Sequence, residues 1–432
     1  MKNLREISDK LKNYIASKEG VIAQYTVSET ETREITLENG EFSLFRTLFD
    51  NDVTVKVIHN QKIGNINANK FTDEVLKNTV DAAILSAESG AEDTFYDIAP
   101  GMDAAVFHKG VQEPEIDKLI ERARELADDI KEKHPKVLLR QVMVKYVKEH
   151  SFYRNTNGSE DETFSGYYLV TTEFAGNDGA DSTGISGSFL VTDCLEQPFI
   201  EQGDMEQTLC DAENSLHPVT LDGKFNGTVI FTPGAMNQML MFGLNAFAGD
   251  SYILSGEAKW LGKIGEKVAS EKLTIAVKPW DERIFGTAVR TEDGFRTEDY
   301  LLIENGILRS YLDSFYVSKK CNVPRALSTD LDMVVSTGDT KLAEMIKSID
   351  KGLIIGAISC GYPGANGEIS GVAKQSFYVE NGEVKGAVNE TMVSFNLADM
   401  FLNIEDVSKE TICNGMVVMP YIKVGNILVS GK

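Results

Sequence analysis

The sequence predicts an α+β fold with helices packed on a mixed or antiparallel sheet in the N-terminal part and a strand-rich, barrel-like C-terminal part. In the first third, amphipathic helical stripes alternate with β-rich runs, whereas strands and turns dominate the second half. The polar segment from 201 to 227 separates these two patterns. We therefore predict two domains, an α+β domain over 1–215 and a β-rich domain over 216–432.

Three amphipathic helices are predicted before residue 135. The first is carried by apolar residues that share one helical face: Leu4, Ile7, Leu11 and Ile15. Thr72 is placed to cap a second helix that Gly90 ends, and a third runs from about 115 to 134 between two prolines. Each has a recurring apolar stripe opposite charged positions, which is typical of a helix that covers a core.

Strands are predicted at 53–59, 137–147 and 167–174, where β-branched and aromatic residues cluster. Between and after them, 155–161 reads as a polar turn and 176–187 as a wide loop. In the second part, the run 228–231 predicts a short strand. Pro233 and Gly234 then turn the chain into an apolar helix that ends at Gly249 and Asp250.

Three Glu-Asn-Gly triplets, at 38–40, 304–306 and 380–382, predict β-hairpins. An Asn-Gly pair suits the type I′ turn, because both central residues need positive φ. The strand-rich half could also offer an exposed edge to which an extended peptide adds by main-chain pairing. The alternative is that every strand is paired internally.

The net charge, the cysteines and the apolar runs argue against nucleic-acid-binding, disulfide-rich and membrane proteins. The net charge of −23 opposes contact with nucleic acid, because affinity for phosphate backbones rests on cationic side chains. The five cysteines are widely spaced and form no CxxC, which favours a reducing cytoplasm over a disulfide framework. Neither a signal peptide nor a membrane-spanning apolar run is expected.

Few residues suggest catalysis. The five histidines are isolated in the sequence and end at His217, so no HExxxH zinc motif can be built in the C-terminal half. Neither a GxSxG elbow nor a phosphate-binding glycine motif is present. Cys360 and Cys413 have no histidine nearby in the sequence, and we interpret them as small apolar residues.

Several stretches, read in order, resemble the TldD/PmbA family from about residue 30 to the end. They are FTDEVLKNTVDAAILSAE, RNTNG, WLGKIGEKVASEKLTIAVKPW, DGFRTEDYLLIENGILRSYL and GEISGVAKQSFYVENGEVKGAVNETMVSFNLADMFLNI. TldD-like members of this family carry HExxxH on a helix and a cysteine near the C-terminus. The corresponding helix here reads GAMNQMLMFGLNAFAGD, without histidine or glutamate.

The chain therefore resembles the PmbA (TldE) type of subunit, which lacks the metal motif. Asn245 and Cys413 fall near the family's ligand positions and are interpreted as remnants of a former metal site. The resemblance implies that this chain has no catalytic residues and binds no metal or cofactor, and that zinc belongs to a TldD-like partner. It also implies dimerisation through the C-terminal half.

The resemblance further implies a cytoplasmic, non-catalytic subunit of a metallopeptidase complex that processes unfolded or modified peptides, microcin precursors included, with an indirect effect on DNA gyrase. Its partners would be a TldD-like chain and an extended peptide, with neither nucleic acid nor membrane. Two alternatives stay open. One is a stand-alone homodimer that binds peptides or regulates gyrase inhibitors, and the other is a hydrolase active alone through an unrecognised site.

Overall fold

The computed structural model describes residues 3–389 and 391–431. Two sheets organise this part of the chain, one built from strands between residues 21 and 192 and the other from strands between 224 and 430. The predicted α+β class is confirmed, with helices on one sheet and a strand-rich second half. The exact division at 215/216 stays a prediction.

The first half contains four α-helices, one 3₁₀ turn and seven strands among the described residues. The helices are α1 (Leu4–Ala16), α2 (Asp73–Ser89), α3 (Ile116–Lys133) and α4 (Met205–Asn214), and the 3₁₀ turn is Phe199–Glu201. The strands are β1 (Val21–Glu38), β2 (Glu41–His59), β3 (Lys62–Ala68), β4 (Ala105–Gly110), β5 (Val137–Asn155), β6 (Glu160–Gly176) and β7 (Phe189–Thr192).

The second half, again counted over the described residues, holds five short or medium helices and thirteen strands. The helices are α5 (Pro233–Ala248), α6 (Asp250–Ser255), α7 (Phe315–Cys321), α8 (Leu342–Lys347) and α9 (Leu397–Leu402). The strands are β8 (Lys224–Phe231), β9 (Ile275–Val277), β10 (Tyr300–Glu304), β11 (Ile307–Leu308), β12 (Met333–Val335), β13 (Lys351–Ile355), β14 (Ala357–Ser359), β15 (Glu368–Lys374), β16 (Phe377–Glu380), β17 (Glu383–Ala387), β18 (Met392–Asn396), β19 (Ile404–Cys413) and β20 (Val418–Ser430).

The first sheet has the order β3-β2-β1-β5-β6-β4, and β7 pairs with β6. Its pairs are antiparallel except β4 with β6. Helices α1 and α2 cover one end of a single face, and α3 covers the other end. Alternation along β1 places buried residues on that face and polar residues such as Thr26 and Ser28 on the opposite face.

The three predicted N-terminal helices are confirmed, and Thr72 Oγ1 accepts from Val75 N at 3.4 Å as the cap. The strands are much longer than predicted, because pairing continues where the apolar run stops. β1 and β2 stay paired from Val21–His59 to Glu38–Glu41 through a stretch in which charged and polar residues alternate. Apolar patterning marks only the covered part of a strand, so it underestimates the length of a strand that leaves the core.

The second sheet branches at β20, which pairs with β8, β12, β18 and β19. Helix α5 packs against β8, β14 and β20 and contributes eight buried residues to the largest core cluster. The hairpin turns predicted at 304–306 and 380–382 are present, with φ of 47° at Asn305 and 52° at Asn381. Among the described residues, every helix is too short or too polar to cross a membrane.

Candidate functional site

Helix α5 is where the family's metal motif would lie. Thr232 Oγ1 caps it by accepting from Ala235 N at 3.4 Å, and Pro233 follows as the first helical residue. If Asn245 takes the place of the second histidine, HExxxH spacing puts Leu240 and Met241 at the places of the first histidine and the glutamate. Leu240 is fully buried in the core, and Met241 is half-buried against it.

Asn245 itself is exposed, and its Nδ2 donates to Met241 O at 2.8 Å, one turn back in the same helix. Cys413, at the end of β19, is half-buried, and its Sγ lies 3.4 Å from Arg283 O. Burial raises the pKa of the Cys413 thiol, which keeps it protonated at neutral pH. Thioether, isobutyl and amide side chains are not zinc ligands, so the residues of α5 do not fit the metal that the family implies.

We expect Leu240→Ala to lower the free energy of unfolding by roughly 2–5 kcal/mol, because it leaves a cavity in a close-packed core. Chemical denaturation of the isolated chain measures the change. Asn245→Ala, on the exposed face of the same helix, is the matched control and should change stability by less than about 0.5 kcal/mol. A small cost at Leu240 would mean that this position keeps room for a ligand.

Carboxyl groups cluster just beyond α5. Burial raises the pKa of Asp313 to about 7, and the charge of Asp250 adds to the shift. Between the ordinary carboxyl pKa and this raised value, the folded chain binds more protons than the unfolded chain, so stability from Asp313 is present at low pH and is lost as pH rises towards 7.

Asp313→Asn removes this dependence. We expect the variant to gain on wild type by roughly 4 kcal/mol as pH rises from about 4 to 8. Urea denaturation of both proteins across that pH range measures the difference. If the difference in stability between the two proteins is the same at all pH values, the assignment is wrong, because Asp313 would then have the same pKa in the folded and the unfolded chain.

A polar cleft lies between the two halves of the molecule. The helix-free face of the first sheet meets the segment 286–292, and together they enclose a cavity of about 590 Å³. The sheet side is lined by alternate residues of four strands: Gln24, Thr26, Ser28, Asp52, Thr54, Lys56, Glu149, Ser151, Tyr153, Asp161, Thr163, Ser165 and Tyr167. Hydroxyl, amide and carboxylate groups in parallel rows suit an extended polar chain better than an apolar ligand.

One end of the cleft is fixed by a buried charge triad. Asp161 on β6 is 1% exposed and forms ion pairs with Arg290 and, at 2.6 Å, with Arg296. The Arg290 guanidinium also lies 4.2 Å from the centre of the Tyr153 ring. Because Asp161 belongs to the first sheet and both arginines to the second half of the chain, the triad ties the two walls of the cleft together.

Farther along the cleft, Asp52 of β2 and Glu149 of β5 line the same face on either side of β1. Burial, followed by the charge of Asp52, raises the pKa of Glu149. Thr54 Oγ1 donates to Asp52 at 2.9 Å. A carboxyl pair of this kind attracts cationic or hydrogen-bond-donating groups, such as an amino terminus or a lysine of a peptide.

The histidines, isolated in the sequence, are not isolated in the structure. His108 and His150 both stack on Phe164, with ring centroids 5.0 and 4.3 Å away. Two others lie in groups whose ligand atoms could hold a metal, His134 with Glu206 and Cys210 and His217 with Asp178 and Asp181. Sequence analysis missed both groups. Only the Glu206–Cys210 spacing, one helical turn, was a local signal, because His134 lies on another helix.

The outer half of β2 is an exposed apolar edge. Strand β3 pairs only with Val53–His59, so among the described residues the stretch 41–50 pairs with β1 alone. Phe45 and Phe49 are 56% and 73% exposed, and Leu44 and Leu48 are exposed on the opposite face. A strand that is apolar on both faces is typical of the inside of a sheet, not of its rim.

Comparison with known proteins agrees with the fold and the motifs. A family profile described as the PmbA/TldA metallopeptidase C-terminal domain matches residues 224–431, and one described as PmbA/TldA metallopeptidase domain 1 matches 26–87. Metalloprotease PmbA of Escherichia coli O157:H7 is 23% identical over 439 residues, covering 93% of this chain and 92% of that protein.

Solved structures share the fold. TldE from Thermococcus kodakarensis superposes with a TM-score of 0.80 at 18% identity, covering 99% of this chain and all of that one. A Bacteroides thetaiotaomicron protein, whose description proposes that it modulates DNA gyrase, gives 0.85 at 18% identity over the full length of both chains. With both family profiles matched in order and the fold shared throughout, this chain belongs to the TldD/PmbA family.

Proposed function

We propose that this chain is a PmbA/TldE-like, non-catalytic subunit of a TldD/TldE-type metallopeptidase that acts on unfolded or modified peptides. The observation that carries the proposal is the chemistry of α5, whose sequence PGAMNQMLMFGLNAFA contains neither histidine nor a carboxylate. The peptidase zinc would be held by the TldD-like partner. The contribution of this chain would be to complete the substrate chamber and stabilise the partner.

Pairing with a TldD-like chain is supported by the exposed edge of β2. Phe45 and Phe49 expose apolar rings beside unpaired backbone groups, which is costly in an isolated protein and favourable in an interface. We therefore propose the N-terminal sheet edge as the docking surface. The C-terminal half, which the family resemblance favours, is the competing surface.

Binding of an extended peptide is supported by the cleft. Its volume of about 590 Å³ accommodates several residues, and its polar rows offer donors and acceptors without a deep apolar pocket. Such a surface admits chains with exposed backbone and discriminates little between side chains. Unfolded or modified peptides present backbone in this way, whereas folded proteins do not.

The proposal also covers the cellular location of the complex and its link to gyrase. Five free cysteines are stable in a reducing cytoplasm, where we place the complex. With a net charge of −23, any effect on gyrase would be exerted through peptides such as gyrase inhibitors, without contact with DNA or membrane. The second candidate function, a stand-alone homodimer that binds peptides, uses the same cleft and the same exposed edge but no TldD-like chain.

Co-purification with a TldD-like chain from the same genome tests the proposal. Unfolded casein should be cleaved by the mixture and not by this chain alone. The polar cleft should matter too, so Glu149→Gln in this chain should alter cleavage by the mixture without affecting its assembly. Peptidase activity of the isolated chain would overturn the proposal. A stable homodimer that ignores the TldD-like chain would favour the second candidate.

A further inference from the structure

His134 lies where the C-terminal end of α3 meets α4. Its side chain is 4% exposed, and both ring nitrogens face carboxylates. Nε2 is 3.3 Å from Glu206 Oε2, and Nδ1 is 3.1 Å from Glu213 Oε2. Cys210 completes the group, with its Sγ within 4.8 Å of the Glu206 and His134 ligand atoms.

The hydrogen-bonding capacities of these groups leave one ring nitrogen of His134 without a match. An ionised carboxylate only accepts hydrogen bonds, and a neutral imidazole has one N–H to donate. A metal ion at the other nitrogen would lie between that nitrogen and the carboxylate that faces it. The presence of Cys210 in the same group favours a metal, because a thiol is a strong zinc ligand once it is deprotonated.

The distances and spacing fit a tetrahedral ion. Two ligands bonded to Zn²⁺ at about 2.0–2.1 Å stand about 3.3 Å apart in a tetrahedron, the observed separation of His134 Nε2 and Glu206 Oε2. Residues four apart on a helix share a face, so α4 presents Glu206 and Cys210 together. The third member reaches them from the end of α3, where helix carbonyls also favour positive charge.

Glu213 has the position of an orienting carboxylate. It lies on the same face of α4, and its second oxygen accepts from Lys136 N at 3.0 Å, which fixes the carboxylate against the ring. Histidines that bind metals commonly donate their other N–H to such a carboxylate. Lys133, a cation close enough to interact with the charge of Glu206, is engaged by Asp129 at 3.1 Å.

We propose that His134 Nε2, Glu206 and Cys210 bind a Zn²⁺ ion, with water as the fourth ligand and Glu213 holding the imidazole. The ion would clamp the end of α3 to α4, the last helix before the second sheet. This inference goes beyond the proposed function, which needs no metal in this chain, and it departs from the prediction that the chain binds none. The other group, Asp178, Asp181 and His217, consists of exposed residues and is not proposed as a site.

Titration of the isolated, metal-free chain with Co²⁺ tests the proposal. One equivalent should produce a cobalt–thiolate charge-transfer band, and Zn²⁺ should abolish the band by displacement. Cys210→Ser should lose the band, whereas Cys194→Ser, which removes a cysteine outside the group, should keep it. Glu213→Gln should keep the band but weaken binding roughly 10–100-fold.

Circular dichroism of each metal-free variant establishes that it is folded before titration. If folded wild-type chain gives no thiolate band, or binds Zn²⁺ no more tightly than Cys210→Ser, the proposal is wrong and His134 serves only as a hydrogen-bonding partner of Glu206 and Glu213. If Glu213→Gln and wild type bind the metal with equal affinity, Glu213 does not orient the imidazole, but the proposal of three ligands still stands.

Discussion

Asp161→Asn is expected to lower the free energy of unfolding by roughly 3–5 kcal/mol, because it leaves buried Arg290 and half-buried Arg296 without their shared counter-ion. Removing one member of a buried ion group is costly, since the remaining charges stay out of water unpaired. Urea denaturation at neutral pH measures the change. Glu304→Gln, which breaks an exposed pair with Arg309, is the control and should cost no more than about 1 kcal/mol.

A second variant separates two costs of Asp161→Asn: the lost attraction between the carboxylate and the arginines, and the burial of guanidinium charges without a counter-ion. Replacing Arg290 with Met in addition to Asp161→Asn removes one stranded guanidinium, so the double variant should be more stable than Asp161→Asn alone. A loss below 1 kcal/mol for Asp161→Asn would show that water reaches the triad. The cleft walls would then be held together by other contacts, among them the hydrogen bond from Lys56 to Glu292 O at 2.8 Å.

The double variant Phe45→Ser, Phe49→Ser is expected to weaken the complex with the TldD-like partner by on the order of a hundredfold or more. Aromatic side chains at the centre of an interface commonly account for most of its affinity. The isolated chain should keep its stability, because these rings are largely exposed in it. Calorimetric titration of the partner with each variant measures the dissociation constant.

Leu85→Ser is the matched control for this prediction. Leu85 is 64% exposed on α2, away from the β2 edge, so its replacement should leave the affinity unchanged. If the double phenylalanine variant binds the partner as wild type does, the edge is not the interface. The C-terminal half, favoured by the family resemblance, would then be the place to look.

The elements that sequence analysis predicted well are those whose signals are local. Helix α2 was bounded by Thr72 and Gly90, and the hairpins at Asn305 and Asn381 by the positive φ that an Asn-Gly turn demands. Strand length was underestimated, because β1 and β2 stay paired through polar residues beyond the part of the sheet that the helices cover. A pattern of buried residues does not register the part of a strand that extends beyond the core.

The sequence by itself determined the α+β class, the family and the loss of the metal motif from α5, because helix periodicity, turn chemistry and motif spacing are written in neighbouring residues. Only the tertiary structure decided that His134 meets Glu206, Cys210 and Glu213, and that Asp161 is buried between Arg290 and Arg296. These residues come together through helix packing and the meeting of two sheets. Their chemistry depends on burial and on charges distant in the chain, and neither quantity is encoded at any one position.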